Sequence, residues 1–220
     1  PNDISGFTLY AIWSANTLNV TFNSNGGSAV TGTTTTTGSS ISAAPTEPTR
    51  AGYTFGGWFP TNETQGSAIS FAYTHGRTDH FTLHAKWNPI SHTIVYDSQG
   101  GSSVSNGSML TGGAIATAPA PTRAGYTLTG WSRTPTGSVV SFAGSGYAPN
   151  DTSGFTLYAI WSAISHTIVY DSQGGSSVSN GSMLTGGAIA TAPAPTRAGY
   201  TLSGWSRTST GSVVSFAGSG

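Results

Sequence analysis

The side chains that could carry acid–base chemistry in this sequence are few and widely spaced. The carboxylates are Asp3, Glu47, Glu63, Asp79, Asp97, Asp151 and Asp171. Asp97 and Asp171 lie 74 residues apart in identical surroundings, so they are one position on two repeats. They form a general acid and base pair only if the repeats fold face to face. The serines and threonines have no matched base. We therefore predict that the chain is not an enzyme.

The histidines give little support for a metal site. His80 and His84 lie four residues apart on a predicted strand, which separates them by about 13 Å, too far for one ion to bind both. His75, Asp79 and His80 are closer together in a loop, but this grouping occurs once in the chain. Cysteine is absent, which excludes thiolate ligands. We predict no metal and no cofactor.

The composition narrows the possible partners. Charged residues make up 6% of the chain, with seven basic and seven acidic side chains, so no excess charge would hold nucleic acid or an anionic membrane. No apolar run approaches the roughly 18 residues of a membrane span. Richness in Gly, Ser and Thr, with Lys86 as the only lysine, suits an extracellular protein that is secreted or on a cell surface.

The chain is built from an internal repeat. The phrase PTRAGYT begins at Pro48, Pro121 and Pro195, each time followed closely by Gly-Trp. The tryptophans fall on two repeat positions at intervals of 73 or 74 residues, a period within the range of small domains that fold alone. The predicted boundaries are a closing strand of a preceding repeat at 1–15, complete repeats at 16–89 and 90–163, and an incomplete repeat at 164–220.

Each repeat has the pattern of a β-rich domain with at most one short helix. Leu18, Val20 and Phe22 alternate with polar residues, and the Asn25-Gly26 pair that follows is a hairpin signal. A closing strand, FTLHAKW from residue 81, also alternates and is a possible sheet edge. His92 and His166 occupy the position of Leu18, which predicts half-buried histidines at the edge of the core.

The succession of an aromatic strand ending in a Gly-Gly turn, then PTRAGYTFGGW, then FTLHAKW, resembles the Listeria–Bacteroides repeat, the type of module found in the B repeat of internalin B. This resemblance covers nearly every residue of the repeats. It implies β-grasp-like domains in tandem on a bacterial surface protein, with a stalk, spacer or adhesive role and no known chemistry. The later closing strand, FTLYAIW, departs from the family in lacking the Lys-Trp pair.

The repeated phrase is predicted to be a folding signature. Proline fixes φ, the glycine after Arg-Ala takes a conformation closed to other residues, and the Tyr and Trp enter the core. The arginine is expected to bond loop carbonyls or stack on an aromatic ring, with ligand binding as the alternative. The signature comprises Arg50, Gly52, Tyr53, Trp58, Trp87, Arg123, Gly125, Tyr126, Trp131, Trp161, Arg197, Gly199, Tyr200 and Trp205.

The outward positions of the closing strand form a candidate interface. They are His84 and Lys86 in the first repeat but aromatic and aliphatic elsewhere, at Tyr10, Ile12, Tyr158 and Ile160. Exposed apolar side chains on an edge strand favour contact with a neighbouring repeat or an identical chain. Cover by a loop of the same repeat is the alternative, and the pattern does not separate the two.

The function favoured by these features is a non-enzymatic extracellular stalk or fibre. The alternative is an adhesin that binds a glycan or a host protein through exposed aromatics, for which a concave aromatic groove would be the sign. N-glycosylation motifs lie at Asn19, Asn62, Asn106, Asn150 and Asn180, although Asn-Gly is equally a turn signal. We expect a window from a longer array or, less favoured, identical chains joined head to tail, with residues 5–13 donated as a strand to the incomplete repeat.

Overall fold

The structure is a computed structural model that describes residues 6–189, 191–214 and 216. The described residues form β-strands and no α-helix, which confirms the prediction of a mainly β protein. The strands are β1 (Thr17–Asn23), β2 (Thr33–Thr36), β3 (Ser40–Ile41), β4 (Tyr53–Phe59), β5 (Tyr73–Thr74), β6 (Phe81–Pro89), β7 (Ser91–Asp97), β8 (Gly107–Leu110), β9 (Tyr126–Ser132), β10 (Phe155–Ala163), β11 (Ser165–Ile168) and β12 (Gly181–Leu184).

The first complete repeat contains a four-stranded sheet in the order β2-β1-β6-β4. The closing strand β6 runs parallel to β1, with Val20 opposite Phe81, and antiparallel to β4, with Trp58 opposite Ala85. The prediction that the closing strand is a possible sheet edge is wrong, because this strand has a partner on each side. The reason is that its parallel partner lies about sixty residues away, where no local pattern reveals it.

The second repeat has the same topology. Its sheet order is β8-β7-β10-β9, so each strand matches the one a repeat earlier in the first sheet. The closing strand β10 is again interior, parallel to β7, with Phe155 opposite Ile94, and antiparallel to β9, with Ala159 opposite Trp131. The antiparallel pairing of each closing strand, with β4 or with β9, contains a register shift beside a glycine of positive φ, Gly57 or Gly130. This bulge lets the strand bend at the tryptophan that follows.

The turn after β1 has the backbone that its sequence predicts. Asn25 and Gly26 both take positive φ, at 47° and 86°, and the Gly27 amide donates to the carbonyl of Ser24 at 3.0 Å. The antiparallel pairing of β1 with β2 starts only at Val20 and Thr33, so the loop that joins the two strands is longer than the turn itself. The loop residues after the turn do not pair with β1, and the Ser28 amide donates to the carbonyl of Thr49.

The core of each complete repeat lies on one face of its sheet. β1 and β7 bury alternate residues, and the closing strands bury Leu83 and Leu157 completely. This is the burial that a period of two produces when one sheet face is covered. In the first repeat the buried cluster consists of Val20, Phe22, Ile41, Trp58, Leu83 and Ala85.

The third repeat forms less of the sheet. Among its described residues, β11 pairs with β12, while the residues equivalent to β9 form only a bridge between Arg197 and Tyr200. Its sequence matches that of the second repeat from residue 90 to 146 except at two positions. Local sequence is therefore not the cause of the difference.

By internal packing the chain divides into two compact units. The first comprises the residues up to Thr93 together with Ser108–Ala114 and Ala148–Gly154, and it contains the whole sheet β2-β1-β6-β4. The second contains β9, β10, β11 and β12. The predicted repeat boundaries rest on the sequence period and remain a prediction. Within the described residues, no helix is both long and apolar enough to cross a bilayer.

Candidate functional site

The signature arginine stacks on the signature tyrosine. The guanidinium carbon lies 4.2 Å from the ring centroid of Tyr53 in the case of Arg50, and 4.0 Å from that of Tyr126 in the case of Arg123. Arg50 also donates to the carbonyl of Asn25 at 3.2 Å, which ties it to the turn after β1. The third repeat has the same stack, at 4.2 Å, between Arg197 and Tyr200. Within its repeat the arginine thus joins the turn to the signature strand.

The tryptophan of the closing strand is fixed on the same turn. The indole nitrogen of Trp87 donates to the carbonyl of Ser24 at 2.8 Å, and that of Trp161 to Ser98 at the same distance. The second glycine of the turn is required by this arrangement. A β-carbon on Gly27 would lie 2.4 Å from the Trp87 ring, and one on Gly101 would lie 2.6 Å from the Trp161 ring.

In the two complete repeats, the tryptophan near the end of the signature strand, β4 or β9, lies in the core. Trp58 and Trp131 are each 2% exposed. Trp58 makes an edge contact with Phe22 at 4.9 Å between centroids, and Trp131 makes the same contact with Tyr96 at 4.9 Å. The Trp131 indole also donates to the carbonyl of Pro119 at 2.9 Å. These rings are packing residues of their own repeat and present no face to a ligand.

The signature glycine forms a junction with the start of the next repeat. The Ile90 amide donates to the carbonyl of Gly52 at 2.9 Å, and the carbonyl of Ile90 accepts from the Thr111 amide at 3.0 Å. Gly52 has a φ of 79°, and a β-carbon there would lie 2.6 Å from the Thr111 hydroxyl oxygen. The half-buried Tyr53 directs its hydroxyl to Gly112, so this tyrosine belongs to the junction more than to the core.

The same junction recurs one repeat later. The Ile164 amide donates to Gly125 at 2.9 Å, and the Thr185 amide donates to Ile164 at 2.9 Å. Gly125 has a φ of 78°, and a β-carbon there would lie 2.5 Å from a methyl carbon of Thr185. Gly199 has the same φ of 78°, but within 4 Å of its β-carbon position there is no atom. We call these two sets of contacts, Gly52–Ile90–Thr111 and Gly125–Ile164–Thr185, the repeat junctions.

A histidine completes each junction. Nε2 of His92 lies 2.7 Å from the Thr111 hydroxyl, and Nε2 of His166 lies 2.8 Å from the Thr185 hydroxyl. His92 is half-buried, as its position in the strand pattern predicts, but the same prediction is wrong for His166, which is exposed. This role could not be predicted by comparing the histidines with Leu18, because their partners are the threonines that directly follow β8 and β12, 19 residues further along the chain.

His75 and His80 hold structural hydrogen bonds, whereas Nδ1 of His84 is buried with no hydrogen-bond partner among the described residues. The buried His75 contacts the Thr35 hydroxyl through Nε2 at 3.1 Å and accepts from the Arg77 amide through Nδ1 at 3.3 Å. Nδ1 of His80 accepts from the Asn19 amide at 2.8 Å. Across the described part of the chain, no three His, Cys, Asp or Glu side chains are grouped as metal ligands.

The candidate interface residues occupy two different environments. Tyr158 and Ile160 are half-buried on the interior strand β10, whereas Tyr10 is 84% exposed and Ile12 is 96% exposed, in a segment that has no strand partner. The segment and the strand share the letters FTLYAIW. Strand pairing, and not sequence, therefore decides their exposure.

A shallow cavity of about 480 Å³ lies beside Ile160 in the second unit. Gln99 crosses its wall and donates to the carbonyls of Pro135 and Ala159, at 2.8 and 3.0 Å. Thr136, Arg123 and Trp161 complete the lining. With one aromatic side chain and an arginine already stacked on Tyr126, the cavity differs from the concave aromatic groove expected of an adhesin.

The fold and the signature contacts define the class of protein: tandem all-β repeats, whose recurring residues build each repeat and its junction to the next. The chain belongs to the Listeria-Bacteroides repeat domain family, which matches residues 19–86, 92–160 and 166–218. The resemblance drawn from the sequence is thereby confirmed.

Three relatives place these repeats in larger proteins. A putative membrane protein of Evansella cellulosilytica is 31% identical over 198 residues, covering 90% of this chain and 29% of that protein. A putative Gly-rich membrane protein of the same organism is 30% identical over 198 residues, covering 90% and 22%. Internalin H of Listeria monocytogenes is 34% identical over 116 residues, covering 52% and 20%. The chain therefore spans less than a third of each of these relatives.

Proposed function

We propose that these repeats form part of a non-enzymatic extracellular stalk or fibre, which spaces or assembles a structure at a cell surface. The names of the relatives support this setting, since two are described as membrane proteins and one as an internalin. The charge-poor, Gly-, Ser- and Thr-rich composition agrees with exposure outside the cell.

The recurrence of the repeat junction carries the proposal. A spacer must transmit position from one repeat to the next, which a flexible linker does not do. Here the strand β6 ends at Pro89 and β7 begins at Ser91, so Ile90 is the whole linker. Its amide and carbonyl are both hydrogen-bonded, to Gly52 and Thr111, and the equivalent groups of Ile164 are bonded in the same way.

Distance measurements between paired spin labels test the spacer role. Because cysteine is absent, single cysteines at the exposed positions Thr61 and Ser103 would carry one label each, on either side of the first junction. We expect a narrow distance distribution. Insertion of Gly-Gly-Ser after Ile90 is the control and should broaden it. A wild-type distribution as broad as that of the insertion variant would reject a positional spacer.

The adhesin alternative has less support, because the tryptophans of the complete repeats either fill the core or donate to their own turns. Screening the labelled chain against glycans and host surface proteins separates the two functions. Saturable binding, with NMR shift changes confined to the cavity around Gln99 and Thr136, would support the adhesin instead.

A further inference from the structure

The tripeptide Ser-Asn-Gly occurs three times in the chain, with its asparagine at Asn25, Asn106 and Asn180. When glycine follows asparagine, the next main-chain nitrogen can attack the side-chain amide with little hindrance, because glycine has no β-carbon. The preceding residue is serine in all three copies. A difference in reactivity between the copies therefore depends on the structure around each pair.

The first copy is held in the turn after β1. Nδ2 of Asn25 donates to the carbonyl of Ala85 at 2.8 Å, and the Asn25 amide donates to Oδ1 of Asn23 at 3.0 Å. The Asn25 carbonyl accepts from Arg50 at 3.2 Å. Asn25 is also half-buried. Because its side-chain amide is fixed on the closing strand β6, ring closure onto the Gly26 nitrogen requires this turn to open first.

The second and third copies have different surroundings. Asn106 and Asn180 are exposed, and each immediately precedes a strand, β8 at Gly107 and β12 at Gly181. Neither asparagine side chain has a hydrogen-bond partner among the described residues. Ring closure at these two positions therefore breaks no side-chain hydrogen bond.

The glycine of each exposed pair packs against an aromatic ring. A β-carbon on Gly107 would lie 3.0 Å from Cε2 of Tyr96, and one on Gly181 would lie 3.0 Å from Cε2 of Tyr170. A larger residue would have to displace the ring. Packing thus favours glycine at the start of these strands, which keeps a reactive pair there.

We propose that Asn106 and Asn180 are sites of spontaneous deamidation, which converts them to isoaspartate and aspartate while Asn25 stays intact. The nitrogen of the following glycine loses its proton and bonds to Cγ of the asparagine, the Cγ–Nδ2 bond breaks, and ammonia leaves. Water then opens the five-membered succinimide at one of its two carbonyl carbons. Opening at Cγ gives aspartate, and opening at the main-chain carbon gives isoaspartate. The sum is the loss of one ammonia and the gain of one water.

Isoaspartate at position 106 would alter the main chain where β8 begins. It inserts one more carbon into the main chain and adds a carboxylate to a chain whose formal net charge is zero. Thr111 follows β8 directly, and its amide donates to the carbonyl of Ile90 in the first repeat junction. We therefore expect deamidation of Asn106 to weaken that hydrogen bond. This consequence concerns the proposed spacer role, but the deamidation itself does not depend on it.

Incubation of the whole chain at mildly alkaline pH, followed by peptide mapping with mass spectrometry, tests the proposal. Fragmentation by electron transfer distinguishes isoaspartate from aspartate. We expect both products at Asn106 and Asn180, at a rate that rises with pH as the glycine amide is deprotonated. Asn25 should react at least roughly tenfold more slowly, because its turn must open against three hydrogen bonds. The same incubation in concentrated urea is the control, in which the three tripeptides should react at similar rates.

Asn106→Gln provides a matched variant. It keeps an amide, but its longer side chain does not form the five-membered ring, so position 106 should stay unmodified while Asn180 reacts as in the wild type. After incubation, hydrogen exchange at the Thr111 amide should be faster in the wild type and unchanged in Asn106→Gln. Unchanged exchange in a wild-type chain that mass spectrometry shows to be modified would contradict the effect on the junction.

Three results would overturn the assignment of these sites. One is that Asn106 and Asn180 stay intact in the folded chain but react in urea, which would show that the strand starts are as protected as the turn. Another is an equal rate at all three asparagines in the folded chain. The third is aspartate without isoaspartate at Asn106, which would indicate direct hydrolysis of the side-chain amide with no succinimide.

Discussion

Trp161 packs so closely on Gly101 that a β-carbon there would lie 2.6 Å from the indole ring. The two residues come from opposite ends of the repeat, Gly101 from the turn after β7 and Trp161 from the closing strand β10. The turn after β7 and the closing strand β10 therefore pack against each other without room for a β-carbon at Gly101. At Gly175, in the same turn of the third repeat, the three atoms nearest to the β-carbon position are two backbone oxygens and a proline carbon, at 3.2 to 3.5 Å, and none belongs to an indole.

This contact predicts different outcomes for the same substitution, glycine to alanine, at two equivalent positions. Gly101→Ala should destabilise the second repeat by about 1–3 kcal/mol, the usual cost of overpacking. Gly175→Ala is the matched control, because a β-carbon at either glycine would lie 3.2 to 3.3 Å from two backbone oxygens, but only at Gly101 would it also meet a ring. In denaturant unfolding the control should lose less stability than Gly101→Ala, because its β-carbon would meet the backbone oxygens but no ring. Equal destabilisation by both substitutions would show that the turn backbone, and not the indole, requires glycine.

Replacement of Trp131 should be more costly than replacement of Trp205. Trp131→Ala removes a buried ring that contacts Tyr96, which should cost about 3–5 kcal/mol. Trp205→Ala removes a half-buried ring in the same sequence context and should cost less. Hydrogen exchange of the whole chain, followed at β7 and β9, measures the difference. Unchanged exchange in Trp131→Ala would mean that Trp131 is a surface residue available to a ligand.

Arg123→Lys tests whether the signature arginine is structural. The planar guanidinium lies 4.0 Å from the centroid of the Tyr126 ring, and an ammonium group does not reproduce that stack. We expect a loss of about 0.5–1 kcal/mol in unfolding free energy, the range for partly exposed cation–π contacts. Arg207→Lys, at an exposed position outside the signature, is the control. No loss in Arg123→Lys would favour the ligand-binding alternative for this arginine.

Glycine is required at the repeat junction for two reasons, the positive φ and the close contact with a threonine, and two substitutions separate them. Gly125→Ala and Gly199→Ala both place alanine at a φ of 78°, which costs roughly 1–2 kcal/mol. Only Gly125→Ala also brings a β-carbon against Thr185. Exchange at the Ile164 and Thr185 amides should therefore accelerate in Gly125→Ala and stay unchanged in Gly199→Ala. Slow exchange in both variants would show that the junction tolerates a side chain there.

The buried phenol of Tyr96 predicts a loss of stability at alkaline pH. Burial raises the pKa of Tyr96 above its ordinary value of 10.0. The folded state then holds the proton more tightly than the unfolded chain, so this contribution is fully present below pH 10.0 and is lost as pH rises through the folded-state pKa. Tyr96→Phe should reduce the fall in unfolding free energy between about pH 9 and pH 11. An identical pH dependence in the variant would contradict this assignment.

Several features could be predicted from sequence because they depend on neighbouring residues. The alternation of Leu18, Val20 and Phe22 is a local pattern, and these side chains are buried as β1 requires. Asn25 and Gly26 likewise take the positive φ values that their residue types favour. The role of Tyr53 could not be predicted from neighbouring residues, because its hydroxyl faces Gly112, a residue of the following repeat.

The sequence by itself determined the repeat, the β class and the family, since periodicity and short motifs are properties of the chain order. The tertiary structure decided which strand is interior and which side chains are covered. Ile94 and Ile168 show the reason: their surroundings in sequence are the same, but only Ile94 lies opposite Phe155 of a closing strand. Burial of apolar surface depends on partners brought together from distant positions, so the same residues are buried in one repeat and partly exposed in the next.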